Sequence, residues 1–254
     1  MAGRLCVGEW LGLSAWAEGV TASLPEGAAR HVQVWRLQPG DAVEVFDGRG
    51  QCWMAEVATM GRREVTVTLR APREVLSEMP VAVTLAVGMP ANDRMDFLVE
   101  KAAELGVAHI QPLMCARSVL KLEGERALKK VAHWQGVAAA ACEQSGRARV
   151  PTVAPVQTLM QYLQVCAGAE HSGVQRAVLS PRATDSLGRW AQAVQGSDAR
   201  SWVFLSGPEG GLSPEEEAAA LAHGWRGVRL GPRVLRADTA PLAALAVLGS
   251  LHEG

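Results

Sequence analysis

The sequence predicts an α/β protein in two parts, a small β-rich domain followed by a larger domain built on a largely parallel sheet. Three observations predict it. Apolar residues alternate with period two between turn signals over 38–70, continuous apolar strands alternate with amphipathic stretches from residue 81 onward, and a charged segment with two prolines separates the patterns. With 254 residues, 48% hydrophobic and 20% charged, the chain can bury a full core.

In the first part, residues 1–71, Pro39-Gly40-Asp41 and Asp47-Gly48-Arg49-Gly50 read as turns. They flank the alternating strand 42–46, and segments 53–59 and 65–69 extend the antiparallel set into a small β-barrel-like domain. Residues 25–34 have helix-compatible spacing. Residues 72–80 have no periodicity and read as a linker.

The second part, residues 81–254, opens with a strand at 81–87. Asn92 can cap a helix that sets Met95, Leu98, Ala102 and Leu105 on one face before Gly106 ends it. A strand at 109–113, a helix at 125–144, a strand at 177–180, a helix at 187–194 and a strand at 202–205 follow. Ser213-Pro214-Glu215-Glu216 is a capping box with proline at the first helical position, for a helix stopping at Gly224. A short strand at 228–230 precedes a terminal helix capped by Thr239. Strands buried on both faces and alternating with helices imply a parallel sheet.

Composition removes several function classes. The apolar run 240–251 falls short of the ~20 residues a bilayer span needs, so a soluble protein is expected. Arg4 and an apolar stretch ending in Ala15-Trp16-Ala17 imitate an export signal, but Glu9 interrupts it. Five dispersed cysteines, with no C-x-x-C and no H-E-x-x-H, fit a reducing cytoplasm and no metal site. Net charge is −1, yet 94–150 holds 9 Lys+Arg against 6 Asp+Glu, so any polyanion must meet a local patch. Neither G-x-G-x-x-G after a strand nor G-x-x-x-x-G-K-[ST] occurs, which argues against a dinucleotide enzyme or a nucleoside-triphosphatase.

Two loops stand out. Ser206-Gly207-Pro208-Glu209-Gly210-Gly211 lies between a strand and the capped helix, where glycines let backbone approach a ligand at a strand's carboxyl end. The second, Leu230-Gly231-Pro232-Arg233-Val234-Leu235-Arg236-Ala237-Asp238-Thr239-Ala240, also joins a strand to a helix. Two such loops read as two walls of one pocket.

This pairing resembles the RsmE family, the small-subunit ribosomal RNA uridine N3-methyltransferases of the SPOUT superfamily. The likeness continues through Arg94, Val99-Glu100-Lys101-Ala102-Ala103-Glu104-Leu105-Gly106-Val107, Arg117-Ser118, Glu143-Gln144-Ser145-Gly146-Arg147 and Val150-Pro151. Arg30-His31, Trp35-Arg36-Leu37-Gln38-Pro39-Gly40-Asp41 and Phe46-Asp47-Gly48-Arg49-Gly50 resemble its RNA-binding domain. Asp238 stands where the family more often has glutamate, and Trp35 where leucine is usual.

The resemblance implies a PUA-like first domain, a SPOUT domain with a trefoil knot, and S-adenosylmethionine as cofactor. It implies cofactor contacts from Leu179, Leu205, Gly207, Gly210, Gly211, Leu230, Gly231, Val234, Leu235, Thr239 and Ala240. Methylating N3 of uridine demands stabilisation of negative charge on uracil and a proton acceptor, for which Arg236 and then Glu209 or Asp238 are the candidates. Expected RNA contacts are Arg4, Arg30, His31, Arg36, Lys101, Arg117 and Arg147. Trp35, beside Arg36, is the tryptophan placed to touch RNA, and the other seven suit cores. Expected partners are ribosomal RNA or the small ribosomal subunit and a second copy of the chain, without membrane or metal. A methyltransferase for another RNA such as transfer RNA, or a non-catalytic ribosome-assembly factor, are the alternatives.

Overall fold

The computed structural model describes residues 3–8, 16–62, 64–91, 93–167, 173–195 and 201–252. The interrupted export-like stretch at 9–15, Trp10 within it, and the cap position Asn92 lie outside the described residues. The chain forms two compact units, one of Met1–Glu78 with Ala139–Val150, the other of Met79–Ala138 with Pro151–Gly254.

The first unit holds β1 (Gly3–Cys6), β2 (Thr21–Ser23), α1 (Glu26–Val34), β3 (Ala42–Phe46), β4 (Cys52–Met60) and β5 (Val65–Pro72). They form a five-stranded sheet in the order β1-β3-β4-β5-β2, antiparallel except for β1 beside β3. Alternation does what the pattern dictates: Val65, Val67 and Leu69 are fully buried while Thr66 and Thr68 between them are not. α1 lays Ala28, Ala29 and Val32 on that core. Short β1 and β2 carry too little pattern to be read in advance.

The second unit holds β6 (Ala82–Gly88), α2 (Asp93–Glu104), β7 (His109–Met114), and the start of α3 (Gly124–Ser145), which passes into the first unit at Ala139. Then come β8 (Thr152–Val153), β9 (Gln157–Thr158), α4 (Leu159–Ala167), β10 (Val174–Leu179), β11 (Asp185–Ser186), α5 (Leu187–Val194), β12 (Ser201–Ser206), α6 (Pro214–Ala222), β13 (Arg226–Arg229) and α7 (Thr239–His252). The sheet runs β11-β13-β10-β12-β6-β7-β8, with β9 also on β7, and every pairing is parallel. The carboxyl ends of β6, β10, β12 and β13 therefore share one edge, where open α/β sheets bind ligands. Trp134, Trp190, Trp202 and Trp225 are buried, and Trp16 and Trp53 pack against the first unit's core. Among the described residues no helix is long and apolar enough to cross a membrane.

The division departs from a linker at 72–80 followed by one domain, because 139–150 belongs to the first unit. Glu78 is the reason. Its Oε2 takes a fork from Arg147 Nε and Nη2 at 3.1 and 2.9 Å, and its Oε1 accepts from the amides of Ala148 and Arg149 at 3.0 and 2.8 Å. Glu143 accepts from Cys6 N at 2.7 Å, and Val150 N donates to Gly48 O at 2.9 Å.

These contacts correct two expected RNA contacts. Arg147 is 3% exposed, so its guanidinium is spent on Glu78 inside the unit. Arg4 Nε lies 2.6 Å from Glu44 Oε1, and its guanidinium sits 5.0 Å over the Phe46 ring. Both are structural ion pairs.

Candidate active site

Glycine chemistry builds the first wall of the site. β12 ends at Ser206, and the chain turns through 207–212 into α6 with Gly211 at φ +67° and Gly211 N donating to Pro208 O at 2.8 Å. A Cβ on Gly207 would meet Leu212 N at 2.5 Å, and one on Gly88 would meet Pro208 Cδ at 2.5 Å, so both positions exclude a side chain. The loop is held on three sides. Arg117 Nη1 donates to Gly210 O and Leu212 O at 2.9 and 3.3 Å, and Glu209 Oε1 accepts from Ala91 N at 2.8 Å. Buried Glu216 accepts from Ala116 N at 2.7 Å and closes the capping box by accepting from Ser213 N at 2.9 Å.

The second wall is the segment 230–237 leaving β13, and residues 178–182 at the end of β10 complete the frame. Together they enclose a cavity of about 530 Å³. Of the residues singled out from sequence, Leu179, Gly207, Glu209, Gly210, Gly211, Leu230, Gly231, Val234, Leu235, Arg236 and Ala240 line it. Leu205, Thr239 and Asp238 do not. Leu205 is buried in the core under β12, and Thr239 starts α7 and donates through Oγ1 to Asp238 Oδ1 at 3.3 Å. Asp238 is buried, with Arg94 Nη1 4.0 Å from its Oδ2. The ion pair of Asp238 thus goes to Arg94, not to Arg236.

Five guanidiniums face this cavity, from Arg94, Arg117, Arg182, Arg233 and Arg236, against the carboxylates of Glu209 and Glu217. Arg182 is tied to Glu217. The excess of positive charge suits a ligand or transition state that carries negative charge. Behind the glycine loop, burial pushes the Cys115 thiol up to about 12, with the Glu216 charge adding, so Cys115 offers no thiolate at neutral pH.

An RNA methyltransferase domain model matches residues 77–249, and an RNA methyltransferase PUA domain model matches residues 24–70. The ribosomal RNA small subunit methyltransferase E of Synechocystis sp. (strain ATCC 27184 / PCC 6803 / Kazusa) is 34% identical over 234 residues, covering 92% of this chain and 74% of the relative. The chain belongs to the ribosomal RNA small subunit methyltransferase E family.

The family member of Bacillus subtilis (strain 168) is 30% identical over 236 residues, covering 91% of this chain and 90% of the relative. The crystal structure of the methyltransferase E from Neisseria gonorrhoeae, bound to S-adenosyl methionine, is 32% identical with a TM-score of 0.86, covering 99% of this chain and 98% of that one. The fold is accordingly α/β, with a PUA-like first unit and a SPOUT-type second unit.

Among the residues of the methyltransferase E cavity that were not singled out from sequence as site residues are Ser206, Arg94 and Arg182. Ser206 carries the clearest signal, since its hydroxyl is buried with no hydrogen-bond partner among the described residues. Of the remaining expected RNA contacts, Arg30, His31 and Arg36 are exposed at the end of α1. Lys101 is held between Glu100 and Glu104 at 2.7 Å each, and Arg117 braces the glycine loop.

Proposed function

We propose that this chain transfers a methyl group from S-adenosylmethionine to N3 of a uridine in small-subunit ribosomal RNA. The observation that carries the reading is the cavity walled by both the 206–212 and 230–237 loops at the carboxyl edge of a parallel sheet. Its residues fit that cofactor. Gly207 admits no Cβ, so the 207–212 turn keeps its tight backbone path at the cavity wall, and the buried Ser206 hydroxyl, without a hydrogen-bond partner among the described residues, lies at the same wall. A volume of about 530 Å³ falls in the range of drug-sized ligand sites, ~300–1,000 Å³.

The cofactor supplies an electrophilic methyl group on a sulfonium sulfur. Leu179, Leu230, Val234, Leu235 and Ala240 furnish the apolar lining, and Gly207, Gly210, Gly211 and Gly231 the close backbone. A neutral imide nitrogen is a weak nucleophile, so reaction needs charge to develop on uracil O2 or O4 as the N3 proton leaves. The Arg236 guanidinium, exposed at the cavity wall, stabilises that charge with a planar two-point fork. Between the two carboxylate candidates, Glu209 has access to the reacting proton because it lines the cavity, oriented by the Ala91 amide. Asp238 anchors the opposite loop through Arg94.

The first unit then acts as the RNA-binding domain and the second as the methyltransferase domain, working in the cytoplasm on ribosomal RNA. Arg30, His31 and Arg36 supply positive charge on the first unit. The second unit pairs with a second copy of the chain. α2 packs against α7 and leaves Phe97 and Leu105 exposed beside that contact, an apolar face that a twofold partner would cover. Mass spectrometry of ribosomal RNA nucleosides from cells lacking the protein tests the activity. Loss of 3-methyluridine from small-subunit RNA is expected, and its retention overturns the reading. Light scattering tests the dimer, for which a mass near twice 26.9 kDa is expected.

A further inference from the structure

The end of α1 carries a feature the cavity does not use. α1 terminates at Trp35 in a Schellman arrangement, with Arg36 N donating to Gln33 O at 3.1 Å and Leu37 N to Val32 O at 3.3 Å. The motif demands a left-handed residue after the cap, ordinarily glycine. Here that residue is Arg36 at φ +55°, the one described non-glycine residue with positive φ. An arginine at a position whose backbone favours glycine points to a use for its side chain, and that side chain is exposed.

The indole beside it is held in place. A Cβ on Gly3 would stand 2.3 and 2.6 Å from Trp35 Cζ3 and Cε3, so the benzo ring lies directly on the β1 backbone where only glycine leaves room. His31 closes one side, its ring 5.7 Å from the indole and tilted by 36°. Trp35 nevertheless keeps 42% of its surface exposed, an unusual state for a tryptophan seated so firmly. Arg36 follows Trp35 directly and Arg30 precedes His31 on α1; the carboxylate contacts described for these side chains are Arg30–Glu26 at 3.3 Å and His31–Glu143 at 3.5 Å. A flat aromatic face with a cationic border suits a base and its phosphate.

We infer that Trp35 is a stacking platform for an unpaired nucleobase of the substrate RNA, and that Arg36 holds a phosphate flanking it. The inference rests on the ribosomal RNA reading and names the structural element recognised, a single-stranded nucleotide outside the cavity. Aromatic stacking is sequence-tolerant, so the platform positions RNA without selecting a base.

The test measures binding of a fluorescein-labelled single-stranded uridine dodecamer, a blunt RNA duplex of equal length and a small-subunit ribosomal RNA transcript, by anisotropy across salt. Trp35→Leu, which keeps an apolar residue on Gly3, is expected to weaken dodecamer binding roughly 10-fold or more and leave duplex binding unchanged. Trp35→Phe should stay within about threefold of the parent because it retains a ring. Arg36→Gly should raise the Tm by about 2–4 °C through relief of the left-handed strain. The same variant should lower the salt slope by about 0.7, the release from one single-strand phosphate. S-adenosylhomocysteine affinity should be parental in all three. Parental dodecamer affinity in Trp35→Leu, or a parental salt slope in Arg36→Gly, overturns the inference, and if Trp35→Leu fails to fold the Arg36→Gly slope decides. A parent that binds dodecamer but neither binds nor methylates the transcript refutes the ribosomal RNA reading instead.

Discussion

Substituting Gly207 by alanine attacks the cavity at the point where its wall has least room. The added Cβ would lie 2.5 Å from Leu212 N, 2.6 Å from Gly211 C and 2.9 Å from Gly211 Cα, all backbone atoms that cannot swing aside. Ordinary contact begins near 3.4 Å, so the 207–212 turn must open by ~0.9 Å, 3.4 less 2.5. That movement strains the bond from Gly211 N to Pro208 O, now 2.8 Å, and the two bonds from Arg117, now 2.9 and 3.3 Å. Losing two such bonds costs about 1–3 kcal/mol, and overpacking adds about 1–3 kcal/mol. If about 2–4 kcal/mol of this falls on the binding geometry, S-adenosylhomocysteine affinity drops roughly 30- to 1,000-fold. Isothermal titration calorimetry reads that loss, with thermal melting as the control for folding. Gly210→Ala should do less, because its Cβ meets Arg117 Cβ, a side-chain atom, at 3.1 Å. Gly211→Ala enters open space and bears only the φ +67° strain, about 1 kcal/mol, or roughly fivefold. A Gly207→Ala variant within threefold of parental affinity, or a series in which Gly211→Ala is the worst, would refute this assignment of the loop as a ligand wall.

Arg236→Ala should bind S-adenosylhomocysteine and RNA as the parent does yet lose ~10²–10³ in single-turnover rate at saturating RNA, with Arg236→Lys recovering only part. A parental rate would make it a binding residue. Ser206→Ala removes a buried hydroxyl without a partner and should raise the ligand-free Tm by about 2–4 °C, a shift that differential scanning calorimetry resolves; an unchanged Tm would mean the hydroxyl is satisfied in solution. Burial pushes the thiols of Cys52 and Cys115 up to about 12 and Cys142 up to about 11, so at pH 8 these three should resist iodoacetamide in the native protein and react on unfolding. Burial also raises the Glu143 carboxyl. Its folded form holds the proton more tightly than the unfolded chain, so this stabilisation is present below the ordinary carboxylate range and is lost as pH rises through the raised value. Glu143→Gln, which keeps an acceptor for Cys6 N, should flatten Tm against pH in the mildly acidic range, and an unaltered profile would count against it.

What the sequence made legible was whatever is decided within a few residues. The helix 187–194 and the Ser213 capping box stand where apolar spacing and cap chemistry put them, because both depend on neighbours three or four positions away. The two glycine loops were legible because a parallel sheet brings the carboxyl ends of its strands to one edge: they leave β12 and β13, which flank β10, and so face each other across its end. Side-chain roles obeyed no such local rule. On sequence Arg117 and Arg147 were expected to contact RNA and Arg236 to meet the charge on uracil, yet residue type alone gives each the same means of binding an anion. Arg147 is claimed by Glu78, 69 positions earlier, and with it the segment 139–150 joins the first unit. Arg117 is claimed by carbonyls 93 and 95 positions later, which turns it from a contact into a brace. Arg236 also lines the cavity, while Asp238, its nearest carboxylate in sequence, turns to Arg94. A cation is free to meet a developing charge only when its neighbouring carboxylates have other partners, and in the role proposed for Arg236 the Arg94–Asp238 contact is what occupies its nearest one.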